Sequence, residues 1–163
     1  METDRKIIDY ESLVKLKQDN SDKKIVLTTG CYDILHLGHV VHFNYCRSRG
    51  DLLVVSVGND KNVHELKGEG RPINSEKTRS RMVAALECVD NVIISREMGI
   101  MDHDELVSLL KPDVYVVPMT DSHLEEKRKL IEEVHGKFVT CRRIPPVGAE
   151  GISSTSLAKK IKE

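Results

Sequence analysis

Apolar residues along this chain fall into two alternating rhythms, short β-like runs and stretches with helical spacing. Ile8 to Lys17, with Leu13 and Leu16 on one face, predicts an opening helix. Lys24–Thr29 follows as a strand rich in β-branched residues and ends at Gly30. Gly38 to Arg49 has helical spacing, and Leu52–Val57 is an almost wholly apolar run of the kind covered on both faces of a sheet. Glu76 to Leu86 predicts a helix and Asn91–Ile94 a short strand. Asp104–Leu110 predicts a helix stopped by Lys111-Pro112, and Asp113–Val117 a strand. Leu124–His135 is an amphipathic, charge-rich helix with Gly136 placed to end it, and Lys137–Thr140 is the fifth strand. From Ser154 to Lys162 a Ser/Thr-rich start and a basic finish suit a capped helix.

Strands that alternate with helices imply right-handed crossovers. The expected fold is therefore α/β: a Rossmann-like, doubly wound sheet of five parallel strands in a three-layer α/β/α sandwich. A chain of 163 residues suits one domain, 1–163, with a leading helix inside 1–22 and a closing helix at 153–163 packed on the same unit. Ligands of such sheets sit beyond the carboxyl ends of the strands at the switch point, which directs attention to the turn after Lys24–Thr29.

Composition removes several function classes. Lys and Arg number 25 against 26 Asp and Glu, so no global field draws the chain to nucleic acid or to an anionic membrane. Trp is absent and aromatics make up 4%, leaving little for stacking on single-stranded nucleic acid. No apolar run approaches a membrane span and the polar start is not a signal peptide, so a cytoplasmic protein is expected. Cys31, Cys46, Cys88 and Cys141 form no Cys-x-x-Cys pair, which argues against a zinc ribbon or a redox motif.

The unusual residues run from Thr29 to His39, Thr-Gly-Cys-Tyr-Asp-Ile-Leu-His-Leu-Gly-His. Gly30 is expected to let the backbone turn and Gly38 to let a ligand or a neighbouring backbone approach. His36 and His39 lie three apart near a helix start, where free amides and the positive end of the helix dipole also point. Such donors suit a triphosphate. When a phosphate attacks an α-phosphorus, catalysis is mostly positioning and charge stabilisation, with no covalent nucleophile required. His36, His39 and His42 fan over roughly 120° of a helix, awkward for one metal ion, so no protein metal site is expected. His42 is read as a helix-surface or acceptor-side residue. A dinucleotide oxidoreductase would need Gly-x-Gly-x-x-Gly at this turn, which reads Gly30-Cys31-Tyr32-Asp33 instead.

This string resembles the signature of the cytidylyltransferase-like nucleotidyltransferases, marked by His-x-Gly-His. Lys24–Val40, Leu66–Asn74 and its sequel, Leu110–Val116 and Ser153–Lys160 resemble one branch in particular, the D-glycero-β-D-manno-heptose 1-phosphate adenylyltransferases. The resemblance implies that His36 and His39 contact the phosphates and stabilise the transition state. It implies that Gly30, Cys31, Tyr32 and Asp33 line the nucleotide and acceptor pocket, that Lys67 neutralises phosphate charge from a mobile loop, and that Arg79 reaches the triphosphate. Ser153, Ser154 and Thr155 would hold its β- and γ-phosphates. It further implies Mg²⁺ bound mainly by the phosphates, an NTP and a small phosphorylated acceptor as partners, and a homodimer.

Each residue has a plainer reading beside that one. Lys67 sits in a Gly-rich stretch and is equally a solvated loop charge; Arg79 competes with Arg81; Ser153–Thr155 suit an N-cap; Asp33 suits a helix cap. Val117–Asp121 stand where the heptose branch carries Lys-Gly-Gly-Asp, and Glu150–Ser153 resemble the ending of glycerol-3-phosphate and ethanolamine-phosphate cytidylyltransferases. ATP with a heptose-like sugar 1-phosphate is thus expected first. CTP with a polyol or amino-alcohol phosphate stands second, and a non-catalytic nucleotide-binding module third.

Overall fold

The β-branched runs pair as one sheet in the computed structural model, which describes residues 2–142 and 152–162. Its strands are β1 (Ile7–Ile8), β2 (Ile25–Gly30), β3 (Leu52–Val57), β4 (Asn91–Ile94), β5 (Val114–Pro118) and β6 (Lys137–Cys141). They lie in the order β1-β4-β3-β2-β5-β6, and every neighbouring pair is parallel. The helices are α1 (Leu13–Asp19), α2 (Leu37–Arg47), α3 (Asp60–Lys67), α4 (Glu76–Ala84), α5 (Asp104–Leu110), α6 (Leu124–Glu133) and α7 (Ser154–Lys162). This is the expected doubly wound α/β architecture with one more strand than the five predicted. Glu150 and Gly151, part of the terminal resemblance, lie outside the described residues.

Alternation along the central strands sends successive side chains to opposite layers. Val26 packs with Phe43 and Cys46 of α2 and with Val83 and Ala84 of α4. Ile25 and Leu27 face the other way, into a core shared with Leu13 of α1, Leu106 and Leu110 of α5, and Ile131 of α6. The sixth strand explains why α1 starts late. Ile7 and Ile8 pair with Val92 and Ile93 at the sheet edge instead of opening a helix, and Asp9 then caps the short turn that leads to Leu13. A helix that sequence periodicity did not resolve, α3, is capped by the Asn59 side chain accepting from the Asn62 amide. Among the described residues no helix is long and apolar enough to cross a membrane.

One feature of the sheet positions everything else. β2 is in register with β3 along its whole length, from Ile25 opposite Leu52 to Gly30 opposite Val57. Against β5 it pairs only at Val26 with Val114 and Leu27 with Tyr115. Past those residues the two strands part at their carboxyl ends, and side chains replace the ladder. The Thr28 hydroxyl donates to the Val116 carbonyl at 2.9 Å, and Thr29 Oγ1 lies 2.8 Å from the Tyr115 hydroxyl. The order of the strands reverses here, which is where a doubly wound sheet opens a crevice.

Thr28→Val keeps the shape and deletes the donor, stranding a buried carbonyl. Urea unfolding is expected to show a loss of about 1–3 kcal/mol.

Candidate active site

The chain leaves β2 and reaches α2 through residues 31–36. The turn does not use Gly30 as its left-handed residue: that conformation falls on Tyr32, with φ 50°, whose ring packs edge-on to His39 with centroids 5.3 Å apart. His36 is the cap of α2. Its backbone is extended (φ −146°, ψ 168°) and its Nδ1 accepts from the Gly38 amide at 3.1 Å, so a neutral ring carries its proton on Nε2. A Cβ on Gly38 would lie 2.9 Å from Cε1 of that ring, which is why this position takes glycine. The His36 and His39 rings stack, with centroids 3.8 Å apart and planes at 27°. Spacing three on a helix start thus brings the two imidazoles together as expected.

In front of this helix start lies a cavity of about 1050 Å³. Gly30, Cys31, Tyr32, Asp33, Gly38 and His39 line its centre, and Lys67 and Arg71 one side. Ser153, Ser154 and Thr155 border it as well. The Ser153 hydroxyl accepts from the Ser156 amide at 3.0 Å, so it caps α7. The Ser154 hydroxyl donates to Ile34 O at 3.2 Å and ties that helix start to the loop before α2. The cap and anion readings of this cluster coexist, because both use the first-turn amides. Burial pushes the Cys31 thiol up, against the pull of Lys67 and Arg79, which favours the neutral thiol there.

Two of the expected contacts are placed elsewhere. Asp33 does not cap α2. Its buried carboxylate accepts from Arg71 Nε at 2.6 Å and from the Ile73 and Asn74 amides at 2.9 Å, holding the 71–74 segment against the turn. Burial raises its pKa, but the Asn74 and Ile73 amides and Arg71 outweigh that and leave it below the ordinary carboxylate value. Arg79 is fully buried and is not among the residues that line the cavity. Its guanidinium donates to Asn74 O at 2.9 Å, to Cys31 O, and to Asp60 Oδ1 at 2.8 Å. Asp60 and Glu76, the first residues of α3 and α4, accept from each other's amides at 2.7 Å. Arg79 therefore braces the pocket from behind instead of reaching a triphosphate: three fixed acceptors occupy its fork. Lys67, expected in a loop, is the last residue of α3.

A model of cytidylyltransferase-like domains matches residues 27–160. The chain belongs to the cytidylyltransferase-like family of nucleotidyltransferases. The bifunctional protein HldE of Campylobacter jejuni strain RM1221 is 38% identical over 164 residues, covering 100% of this chain and 33% of that protein. HldE of Campylobacter fetus subsp. fetus strain 82-40 is 40% identical over 144 residues, 84% of this chain and 30% of that protein. The chain spans about a third of the length of these curated relatives. The crystal structure of the lipopolysaccharide core biosynthesis protein from Thermoplasma volcanium GSS1 is 28% identical with a TM-score of 0.63, over 75% of this chain and 97% of that one. Pantoate-β-alanine ligase from Francisella tularensis shares the fold, with a TM-score of 0.64 at 15% identity over 96% of this chain and 76% of that one.

This cytidylyltransferase-like site also contains residues that sequence reasoning missed. Arg71 lines the cavity while bound to Asp33; it stood next to Lys67 in the same glycine-rich stretch, and only the loop's path separates them. Asn62 and Asp102 come from elements 40 positions apart. Lys127, nearly buried and paired with Asp121 at 2.7 Å, borders the other side. His42, read from the sequence as a helix-surface or acceptor-side residue, lines the cavity as well, with Nε2 2.8 Å from Thr28 Oγ1. Since Thr28 donates to Val116 O, this contact is His42 N–H donating to the hydroxyl.

Arg79→Ala is expected to destabilise the fold by about 1–3 kcal/mol in denaturant unfolding, because it leaves the Cys31 and Asn74 carbonyls without the donor that satisfies them. Unchanged stability with weakened NTP binding would restore the phosphate role. For Asp33 the depressed pKa means that stability is full above the ordinary value of 3.8 and falls as pH drops through the folded value, since the unfolded chain binds the proton first. Thermal melts of Asp33→Asn are expected to lose part of that acid dependence.

Proposed function

We propose that this chain joins the nucleoside monophosphate of an NTP, ATP first, to a heptose-like sugar 1-phosphate, releasing pyrophosphate and giving a nucleotide-activated sugar. The observation that carries the reading is the convergence of two helix starts, α2 with its stacked His36 and His39 and α7 with Ser153–Thr155, on one cavity flanked by Lys67 and Arg71. Amides, imidazoles and cations of this kind neutralise a triphosphate and the charge that grows during its displacement. The resemblance to the heptose adenylyltransferases and the HldE relatives support the sugar phosphate as acceptor.

In the proposed reaction an acceptor phosphate oxygen forms a bond to the α-phosphorus as the bond to the bridging oxygen of pyrophosphate breaks. His39, at the cavity wall, donates to a non-bridging oxygen of the transferring group. His36 keeps the helix start capped and holds the His39 ring in place by stacking. The first-turn amides of α7 take the β- and γ-phosphates, and the Lys67 ammonium neutralises phosphate charge where donor and acceptor phosphates meet.

Mg²⁺ would arrive with the NTP and screen its charge. Its ligands would be largely phosphate and water. The reading carries with it a cytoplasmic location and a homodimer.

Pyrophosphate release is expected from ATP with D-glycero-β-D-manno-heptose 1-phosphate, and less from CTP, GTP or UTP. A preference for CTP with glycerol 3-phosphate would favour the polyol reading, and NTP binding without release from any pair a regulatory module. His39→Ala is expected to cut turnover about 100- to 1000-fold with the melting temperature preserved, the usual cost of one preorganised donor.

A further inference from the structure

The cavity has two arms on opposite sides of β2. One is walled by Pro118, Thr120, Asp121 and Lys127 after β5. The other lies beyond β3 and β4, where Asn62, Lys67, Arg71 and Asp102 face it. Asp102 supplies the carboxylate of that second set, and three side chains touch it. Its Oδ2 accepts from Ser95 Oγ at 2.7 Å and from Asn62 Nδ2 at 2.9 Å. Asn62, itself buried, is oriented by the Gly99 carbonyl at 2.9 Å and the Gly99 amide at 2.7 Å.

From behind, Oδ1 meets His103 Nδ1 at 3.4 Å, and His103 Nε2 lies 2.8 Å from the Tyr115 hydroxyl. The directions of these contacts follow from the donors available. A carboxylate only accepts, so Nδ1 of a neutral His103 carries the proton. Its Nε2 then accepts from Tyr115 O–H, whose oxygen accepts from Thr29, 2.8 Å away. Tyr115 and His103 are buried, whereas Asp102 and Thr29 both reach the cavity. A carboxylate that served only to hold its loop would not need one end of the chain facing an open ligand site.

Oδ1, with one long contact, keeps acceptor capacity, so whatever sits against Asp102 should bring a hydrogen-bond donor. On the same arm Lys67 and Arg71 suit an anion. Hydroxyls plus a phosphate are what a sugar phosphate offers. We infer that Asp102, oriented by Ser95, Asn62 and His103, reads a hydroxyl of the acceptor sugar and sets acceptor specificity. This rests on the transfer reading above for the identity of the acceptor.

The test compares wild type with Asp102→Asn and Ser95→Ala, the latter removing one support while leaving the carboxylate. The acceptors are D-glycero-β-D-manno-heptose 1-phosphate, mannose 1-phosphate and glycerol 3-phosphate. Asp102→Asn is expected to lower kcat/KM for the heptose by about 10- to 100-fold, as for a lost hydrogen bond to a charged group, with KM for ATP unchanged. The ratio of heptose to glycerol 3-phosphate should fall with it, and Ser95→Ala should move the same ratio by less. A loss that raises KM for ATP instead would assign the carboxylate to the base, and an unmoved acceptor ratio in both variants would leave it a loop support; either overturns the inference. Calorimetric binding of the same sugar phosphates without NTP separates the two readings. Binding weakened by Asp102→Asn in a protein that releases no pyrophosphate would sink the transfer reading alone. Sugar-phosphate binding by active wild type that Asp102→Asn leaves unchanged would sink the role of Asp102 alone.

Discussion

The parting of β2 from β5 is the constraint from which the rest of this molecule follows. Two parallel strands that pair at only two positions leave backbone groups near their carboxyl ends to be satisfied otherwise. Thr28 does this with its hydroxyl on Val116 O, and Thr29 bridges the same gap side chain to side chain through the Tyr115 hydroxyl. Those two bonds tie the parting strands together across the gap, and α2, capped by His36, starts in front of the crevice that they leave. The same hydroxyls pass polarity outward, Thr28 to His42 and Thr29 through Tyr115 and His103 to Asp102.

Around that gap the charged residues divide into those that face ligand and those that hold the wall. Asp33, Asp60, Glu76 and Arg79 belong to the wall: each is bound by fixed partners, mostly backbone amides and carbonyls. Buried charge is tolerable only when its hydrogen-bonding capacity is filled, and here filling it ties the 31–33 turn, the 71–74 segment and the starts of α3 and α4 into one frame. His39, Lys67, Ser153–Thr155 and Asp102 face the cavity on that frame. Preorganisation of this kind is what phosphoryl chemistry asks of a protein, since orientation and fixed dipoles do most of the work.

His36 shows how one residue serves both purposes. Its Nδ1 is committed to capping α2, and that commitment fixes which nitrogen carries the proton and where the ring stacks. Gly38 is needed because the capping ring occupies the space of its Cβ. The pair His36 and Gly38 is thus a single local device, and His39 is the ring it supports.

The sequence by itself determined the architecture and the location of the chemistry. Alternating β-branched and helical periods report burial on two faces, and that local rhythm sufficed for a doubly wound parallel sheet; His36, Gly38 and His39 lie within one helical turn, so their proximity needed no tertiary information. Among the strands and α-helices of the described residues β1 and α3 escaped, the first because two residues carry no periodicity and the second because a short polar helix has little. What the tertiary structure alone decided was which charges face ligand. Arg79 and Arg81 are the same residue type on one helix, yet the first is fully buried against Cys31, Asn74 and Asp60 and the second pairs with Asp4 at the surface. Asp102, Asn62 and Lys127 come to the cavity from elements far apart in the chain, and no local pattern records where such elements meet.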